Sequence, residues 1–466
     1  MTFSSINLVP FKNSSVIALG LLLTIFFGTS ASFATTYYVT QNGNNKHSGT
    51  SWDSSWKTLQ HAGKKASAGD TVVIRKGQSP YKYLPIRNSG KPNKPIVFKG
   101  ESSTDKPIIT GAKRVKNWKK SAYQTVWTTL SKNKPHRVLE NDEALKKAST
   151  VECLDGQWFW DKQKLYYKPS DKKPSAHNVW MSFAAGGAVI RSQSWIELHN
   201  LHFWFGAGAG VSIRNGHHVK LNNITAQWHW IGIDLSANSS HNTIENCTVS
   251  NNGSGIYLRR GSHHNSVRNC LSSKNGNLPW WTKGDRAGIA IGEKGPNIGN
   301  IIENNEVSYN GAPYSDPGVT AYDAPNTLIR NNNIHHNYGF GLFVTIASHN
   351  TTVSNNKINF NGIPAVQAKL KGMSGLSIRH SHDVLIENNE IIGNHVSSDS
   401  RWPNIMMGPK GGVDVLGHPG QDMTNIKFIN NIVSGTVGGP NFRIDRKANL
   451  SGLVIIPKKQ APDWYQ

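Results

Sequence analysis

A chain of 466 residues with 37% apolar, 17% charged and 9% aromatic residues, plus 44 Gly and 21 Pro, is long enough for a large core. It is too weakly charged for a coiled coil and too apolar for a disordered chain. The formal net charge of +23 is uneven: residues 35–180 carry 27 Lys/Arg against 11 Asp/Glu, and the rest of the chain after them 23 against 17. The basic field therefore sits in the N-terminal third, where it would attract acidic glycans or an anionic envelope surface.

Lys12 precedes an apolar run over 16–28, and Ser32-Phe33-Ala34 places small residues where a signal peptidase reads them. The run is shorter than the roughly 20 residues that span a bilayer, so we expect a signal peptide over 1–34, cleavage after Ala34, and a secreted or periplasmic protein. No later stretch is apolar enough to span, and export argues against nucleic acid as a partner. The three cysteines are too few for a disulfide framework.

Residues 35–113 read as an N-terminal cap and first coils. Tyr37-Tyr38-Val39 and the segment from Asp70 to Ile74 alternate like strands, while Trp56, Leu59, Ala62 and Ala66 fall at helical spacing. An amphipathic helix there would cover the open end of a solenoid. Residues 114–180 break the pattern: Trp158-Phe159-Trp160 and Leu165-Tyr166-Tyr167 flank a polar turn, predicting a hairpin within a small β-rich insertion.

From about residue 181 the chain repeats. Short strands open at Gly210, Gly232, Gly255, Gly288, Gly318, Gly341, Gly375 and Gly412, each followed by alternating apolar residues. Between them an apolar residue, a variable residue and Asn recur, with Asn at 200, 223, 246, 269, 304, 331, 355, 388 and 430. The undisturbed period is 22 to 23 residues, which at about 3.3 Å per extended residue allows three short strands and their corners. The expected fold is all-β: a right-handed parallel β-helix in which the aligned Asn side chains bond one another from coil to coil. In that register Cys247 and Cys270 stack, either as a disulfide or as two free thiols, and Glu245, Arg268, Glu303 and Arg330 form a ladder of alternating charge.

The opening from Tyr37 to Gly100, and repeats such as GIYLRRGSHHNSVRNC and GLSIRHSHDVLIENNEI, resemble the secreted right-handed β-helix (pectate-lyase-like) superfamily of carbohydrate-active proteins. The resemblance implies that fold and a polysaccharide as partner, acidic in many members. It does not imply a reaction. The Trp-Ile-Asp-His strand and Arg-x-Pro-x-x-Arg segment of pectate lyases, the Asp pair and Gly-His-Gly of polygalacturonases and the Asp-Pro-His-Asp of alginate epimerases are all missing, so no catalytic residue carries over.

Position supplies the candidates instead. Insertions over 275–287, 310–317, 361–374 and 394–411 lie at one corner of the coil and should build one wall along the solenoid, where loops on a rigid scaffold carry function. Within it Asp285 and Asp316 fall in adjacent coils, with Asp323 after Tyr322. Close carboxylates suit glycosidic hydrolysis. Arg286 and Lys283, with Tyr322 or a basic group taking a proton and a cation such as Ca²⁺ stabilising the charge, suit elimination from a uronate. Turn-capping by the aspartates is the structural alternative. Trp280, Trp281, Tyr314 and Trp402 offer flat faces to sugar rings. His335 and His336 read as corner residues, and His380, His382 and Asp383 as a possible metal trio. The expected function is an exported polysaccharide-degrading enzyme, hydrolase or lyase; the rival is a non-catalytic glycan-binding or envelope-surface protein on the same scaffold.

Overall fold

The computed structural model describes residues 34–466 except 124, 172, 277, 279–285, 313–315, 364–372, 395–404, 408–422, 436–441, 445–450 and 458–466. The signal-peptide reading of residues 1–34 falls, apart from Ala34, outside them.

One coil is enough to define the architecture. Val219–Asn222, Thr225–Gln227 and Ile231–Ser236 run in three directions, and the next coil repeats them as Thr243–Glu245, Thr248–Ser250 and Ser254–Arg259. Stacked in parallel, these strands make, among the described residues, sheet A (13 strands), sheet B (10) and sheet C (11). Alternation puts one set of side chains inside. Val211, Ile233, Ile256, Ile289, Val319, Leu342 and Leu376 follow one another in register, and all are fully buried. Such a row removes apolar surface from water at every coil, at about 25 cal/mol per Å².

The repeated Asn stands in one column. Asn246, Asn269 and Asn304 all have φ near +55°, and each backbone N–H donates to the next coil, to the carbonyls of Arg268, Glu303 and Arg330 at 3.2–3.3 Å. Asn tolerates this left-handed corner because its short side chain bonds locally. The expected side-chain bond between motif residues is made by Asn223 Nδ2 to Asn200 Oδ1 at 2.8 Å, but the long amide ladder lies one residue later. Asn305, Asn332, Asn356, Asn389 and Asn431 are linked Nδ2 to Oδ1 at 2.9–3.0 Å, because the motif residue points out to solvent and its successor points into the corner. Two more ladders line the other corners: Asn252 through Asn275, Asn310, Asn337 and Asn361 to Asn394, and Asn242 through Asn265 to Asn300.

Cys247 and Cys270 occupy the first ladder just before Asn305: Cys270 N–H donates to Asn305 Oδ1 at 2.9 Å, and Cys247 N–H to Cys270 Sγ at 3.4 Å. Both thiols are free and buried. The charge ladder forms on sheet A, with Arg268 on Glu245 and Arg330 on Glu303, both at 2.7 Å.

The cap helix spans Leu59–Lys65, with the Thr58 hydroxyl accepting from His61 N–H. Its buried Leu59, Ala62 and Gly63 face the strand Leu84–Ile86. A side chain at Gly63 would meet the Pro85 carbonyl at 2.0 Å, so this contact requires glycine. Between Ala112 and Ser182 the chain leaves the coil and builds a four-stranded and a five-stranded sheet. In the latter, Gln157–Asp161 and Lys164–Lys168 pair antiparallel across Lys162 and Gln163, both at positive φ, the geometry of a type I′ hairpin turn. Trp158, Leu165, Tyr167, Val138 and Val179 form a separate core there.

Candidate active site on the outer face of sheet C

Each large insertion joins a sheet B strand to a sheet C strand: Leu271–Ser273 to Ile289–Gly292, Glu306–Ser308 to Val319–Tyr322, Lys357–Asn359 to Leu376–Arg379, and Glu390–Ile392 to Ile405–Met407. They therefore share one flank of sheet C. Asp285, Trp280, Trp281, Lys283, Tyr314 and Trp402 lie outside the described residues. Of the remaining candidates, Arg286 is buried and its Nη1 lies 3.3 Å from Asp316 Oδ2, tying adjacent coils together. Asp323 is at the other end of the strand Val319–Tyr322, at a left-handed corner, where its Oδ2 accepts from Gly295 N–H at 3.0 Å. The fold thus brings Arg286 to Asp316 and separates Asp323 from both.

His335 and His336 are at the B–C corner, with Nδ1 atoms 2.9 Å apart. His382 hydrogen-bonds Asp383 at 2.6 Å and stacks on His349, and among the described residues no three His, Cys, Asp or Glu side chains converge as a metal-ligand set.

The outer face of sheet C carries two columns. Ser212, Asp234, Tyr257, Ala290 and Thr320 form one; Arg214, Ser236, Arg259, Gly292 and Tyr322 form the other. Tyr322 lies directly over Gly292, where an added side chain would meet its Cβ at 3.2 Å. Ile231, Tyr257, Ala287 and Ala290 cluster outside the coil, giving the flank an apolar base. Beside them opens a cavity of about 570 Å³, lined among others by Trp230, Asp234, Tyr257, Arg259 and Glu293, a size typical of small-ligand sites.

Its polar centre is one guanidinium between two carboxylates. Arg259 Nε and Nη2 reach Asp234 Oδ1 and Oδ2 at 2.7 and 3.2 Å, and its Nη1 donates to Glu293. Arg260 binds the same Glu293 through Nη2 at 2.5 Å. Burial alone would raise the Glu293 carboxyl, but the hydrogen bonds and charges of Arg259 and Arg260 outweigh it and hold it below the usual carboxylate value. Burial likewise works against charge on Arg259, and the two carboxylates overcome it, keeping the guanidinium firmly protonated. Trp230, about half exposed, presents a ring at the rim.

Asp234 and Glu293 were missed by the sequence reading. The signal was present: Gly232-Ile233-Asp234-Leu235 places a carboxylate at the outward phase of a strand otherwise read only for its apolar alternation, and Arg259 is two residues past the outward Tyr257 of the next coil.

Comparison with known proteins agrees with this architecture. The family described as "Right handed beta helix region" matches residues 186–358 and 283–440, together more than half of the chain. The chain belongs to that family. A stretch of 74 residues is 38% identical to the uncharacterised protein YwoF of Bacillus subtilis (strain 168); the match spans 16% of this chain and 15% of that protein. A solved glycoside hydrolase superposes with a TM-score of 0.61 at 10% identity, covering 90% of this chain and 97% of its own. XylC in complex with xylose superposes with 0.56 at 14% identity, covering 86% and 76%. At these identities the likeness is one of fold. Among the described residues no helix is long and apolar enough to cross a membrane.

Proposed function

We propose that this protein is an exported carbohydrate-degrading enzyme acting in the cavity on sheet C. The observation that carries the reading is the pair of carboxylates, Asp234 and Glu293, on either side of Arg259 in a small-ligand cavity with an aromatic rim. Trp230 would stack on the apolar face of a sugar ring. Glu293, held ionised by two arginines, suits attack on an anomeric carbon or activation of water, and the deeper Asp234, 6% exposed, holds the Arg259 guanidinium against Glu293 through two hydrogen bonds. Hydrolysis is the reading we adopt, since an ionised carboxylate in an open cavity can attack the anomeric carbon or activate water directly. In this reading the wall containing Arg286 and Asp316 shapes the groove, and the N-terminal 34 residues direct export.

Reducing-end release from a panel of neutral and acidic glycans tests it. Asp234→Asn and Glu293→Gln should each lower kcat by about 10²–10⁴-fold while glycan binding remains. Full turnover in both variants would reject the assignment, and ultraviolet-absorbing unsaturated ends would replace hydrolysis with elimination. A binding role without turnover draws support from the same ion pairs, since both carboxylates are already neutralised; a panel with binding and no cleavage would decide for it.

A further inference from the structure

The insertion between Ala112 and Ser182 has its own concavity, apart from sheet C. A cavity of about 1050 Å³ opens there, lined by Lys113, Arg114, Lys116, Lys119, Lys120 and Lys164, with no acidic residue in its lining. All six cations are exposed, and among the described residues none is in an ion pair. Asp161 faces Lys164 across the hairpin in backbone register, again without an ion pair. Gathering six like charges around one hollow is unfavourable by itself and creates a positive potential that a polyanion relieves.

The floor of the hollow narrows the choice of polyanion. Val115 and Met181 are buried beneath it, and Leu130 is 77% exposed beside them. Cations around an apolar patch match a chain of sugar rings bearing anionic groups: the rings cover the apolar floor and the anions reach the lysines. A flat lipid surface fits a recess poorly.

We infer that the insertion is a binding site for an anionic polysaccharide, separate from the carboxylate pair of sheet C. It would hold a carboxylated or sulfated glycan whether or not that pair is catalytic. The test is calorimetric titration of the full chain with an oligogalacturonate, a heparin fragment, a neutral xylo-oligosaccharide and phosphatidylglycerol vesicles. At least one anionic glycan should bind, more weakly as salt rises, and the comparison of the two identifies carboxylate or sulfate as the preferred group. The triple variant Lys116→Gln, Lys119→Gln, Lys120→Gln should weaken that binding at least tenfold with an unchanged melting temperature, and Lys164→Glu, on a different strand, should act in the same direction. The triple variant should keep the wild-type turnover of a neutral glycan, so loss of turnover at sheet C and loss of binding at the insertion are read separately. Equal binding of the anionic glycan by the charge variants, equal weakening by them of neutral-oligosaccharide binding, or binding to vesicles alone would overturn the inference.

Discussion

Replacing Arg259 with Met removes the cation between Asp234 and Glu293 while keeping much of its apolar stem. Breaking one partner of a buried pair costs about 3–5 kcal/mol, because a charge is left in a poor solvent. The Arg259 side chain is 19% exposed and Asp234 9%, but Glu293 is 32% exposed and keeps Arg260. We therefore expect the lower end, about 3 kcal/mol at neutral pH. The sign with pH follows from linkage. The folded-state pKa of Glu293 lies below its ordinary value of 4.5, so its pairing stabilises the protein above about pH 4.5 and that contribution is lost as pH falls through the depressed value. The gap between wild type and variant must therefore be widest near neutrality and shrink on acidification, as the carboxylates lose the charge that Arg259 serves. Urea unfolding followed by tryptophan fluorescence, at about pH 7 and about pH 3, measures both quantities. A gap under about 1 kcal/mol at neutral pH, or one that stays constant on acidification, would refute the claim that Arg259 neutralises two desolvated carboxylates.

Three further outcomes are expected. In Asn310→Ala the backbone N–H of Asn275 and the carbonyl of Ser272 lose partners at 3.0 and 2.9 Å; at about 1–3 kcal/mol for each buried orphan, unfolding should show a loss of about 3 kcal/mol. Asn304→Ala, at the exposed left-handed corner, should cost only about 1 kcal/mol, and equal losses at the two positions would contradict the separation of turn from ladder. The Cys247 thiol, raised well above its ordinary pKa by burial and by Cys270, should resist a thiol reagent until urea unfolds the chain; rapid native labelling would show that the column is open. Trp230→Ala should raise KM about tenfold with an unchanged melting temperature, since a half-exposed ring adds little to the core, and an unchanged KM would remove it from the sugar site.

The fold was legible because a solenoid writes each contact repeatedly. The Gly-led tetrads from Gly210 to Gly375 mark where sheet C begins, while Gly412 lies outside the described residues and the sheet C strand after Gly375 is Ile405–Met407; the motif Asn marks the A–B corner, and the 22- to 23-residue period fixes which residues are neighbours in space. That periodicity brought Cys247 to Cys270, Glu245 to Arg268 and the insertions to one flank. What it could not separate was a corner's two jobs: in a motif ending Asn304-Asn305, the first Asn supplies the left-handed turn and the second the hydrogen-bonded ladder, and their opposite orientations are set by backbone torsions.

The site was less legible for a related reason. Its chemistry depends on residues that depart from the repeat, and Asp234 is such a departure: its neighbours up and down the column are Ser212 and Tyr257, so no recurrence marks it. Glu293 is harder to see, since it lies just past its strand, at a left-handed corner, and meets Asp234 only because Arg259 stands in the coil between them. Loop aspartates attracted notice by sequence spacing, yet Asp316 engages the buried Arg286 and Asp323 closes a distant corner. A long parallel stack makes most outward positions interchangeable, and the places where oppositely charged side chains are gathered across three successive coils are where stability has been committed to something beyond the fold.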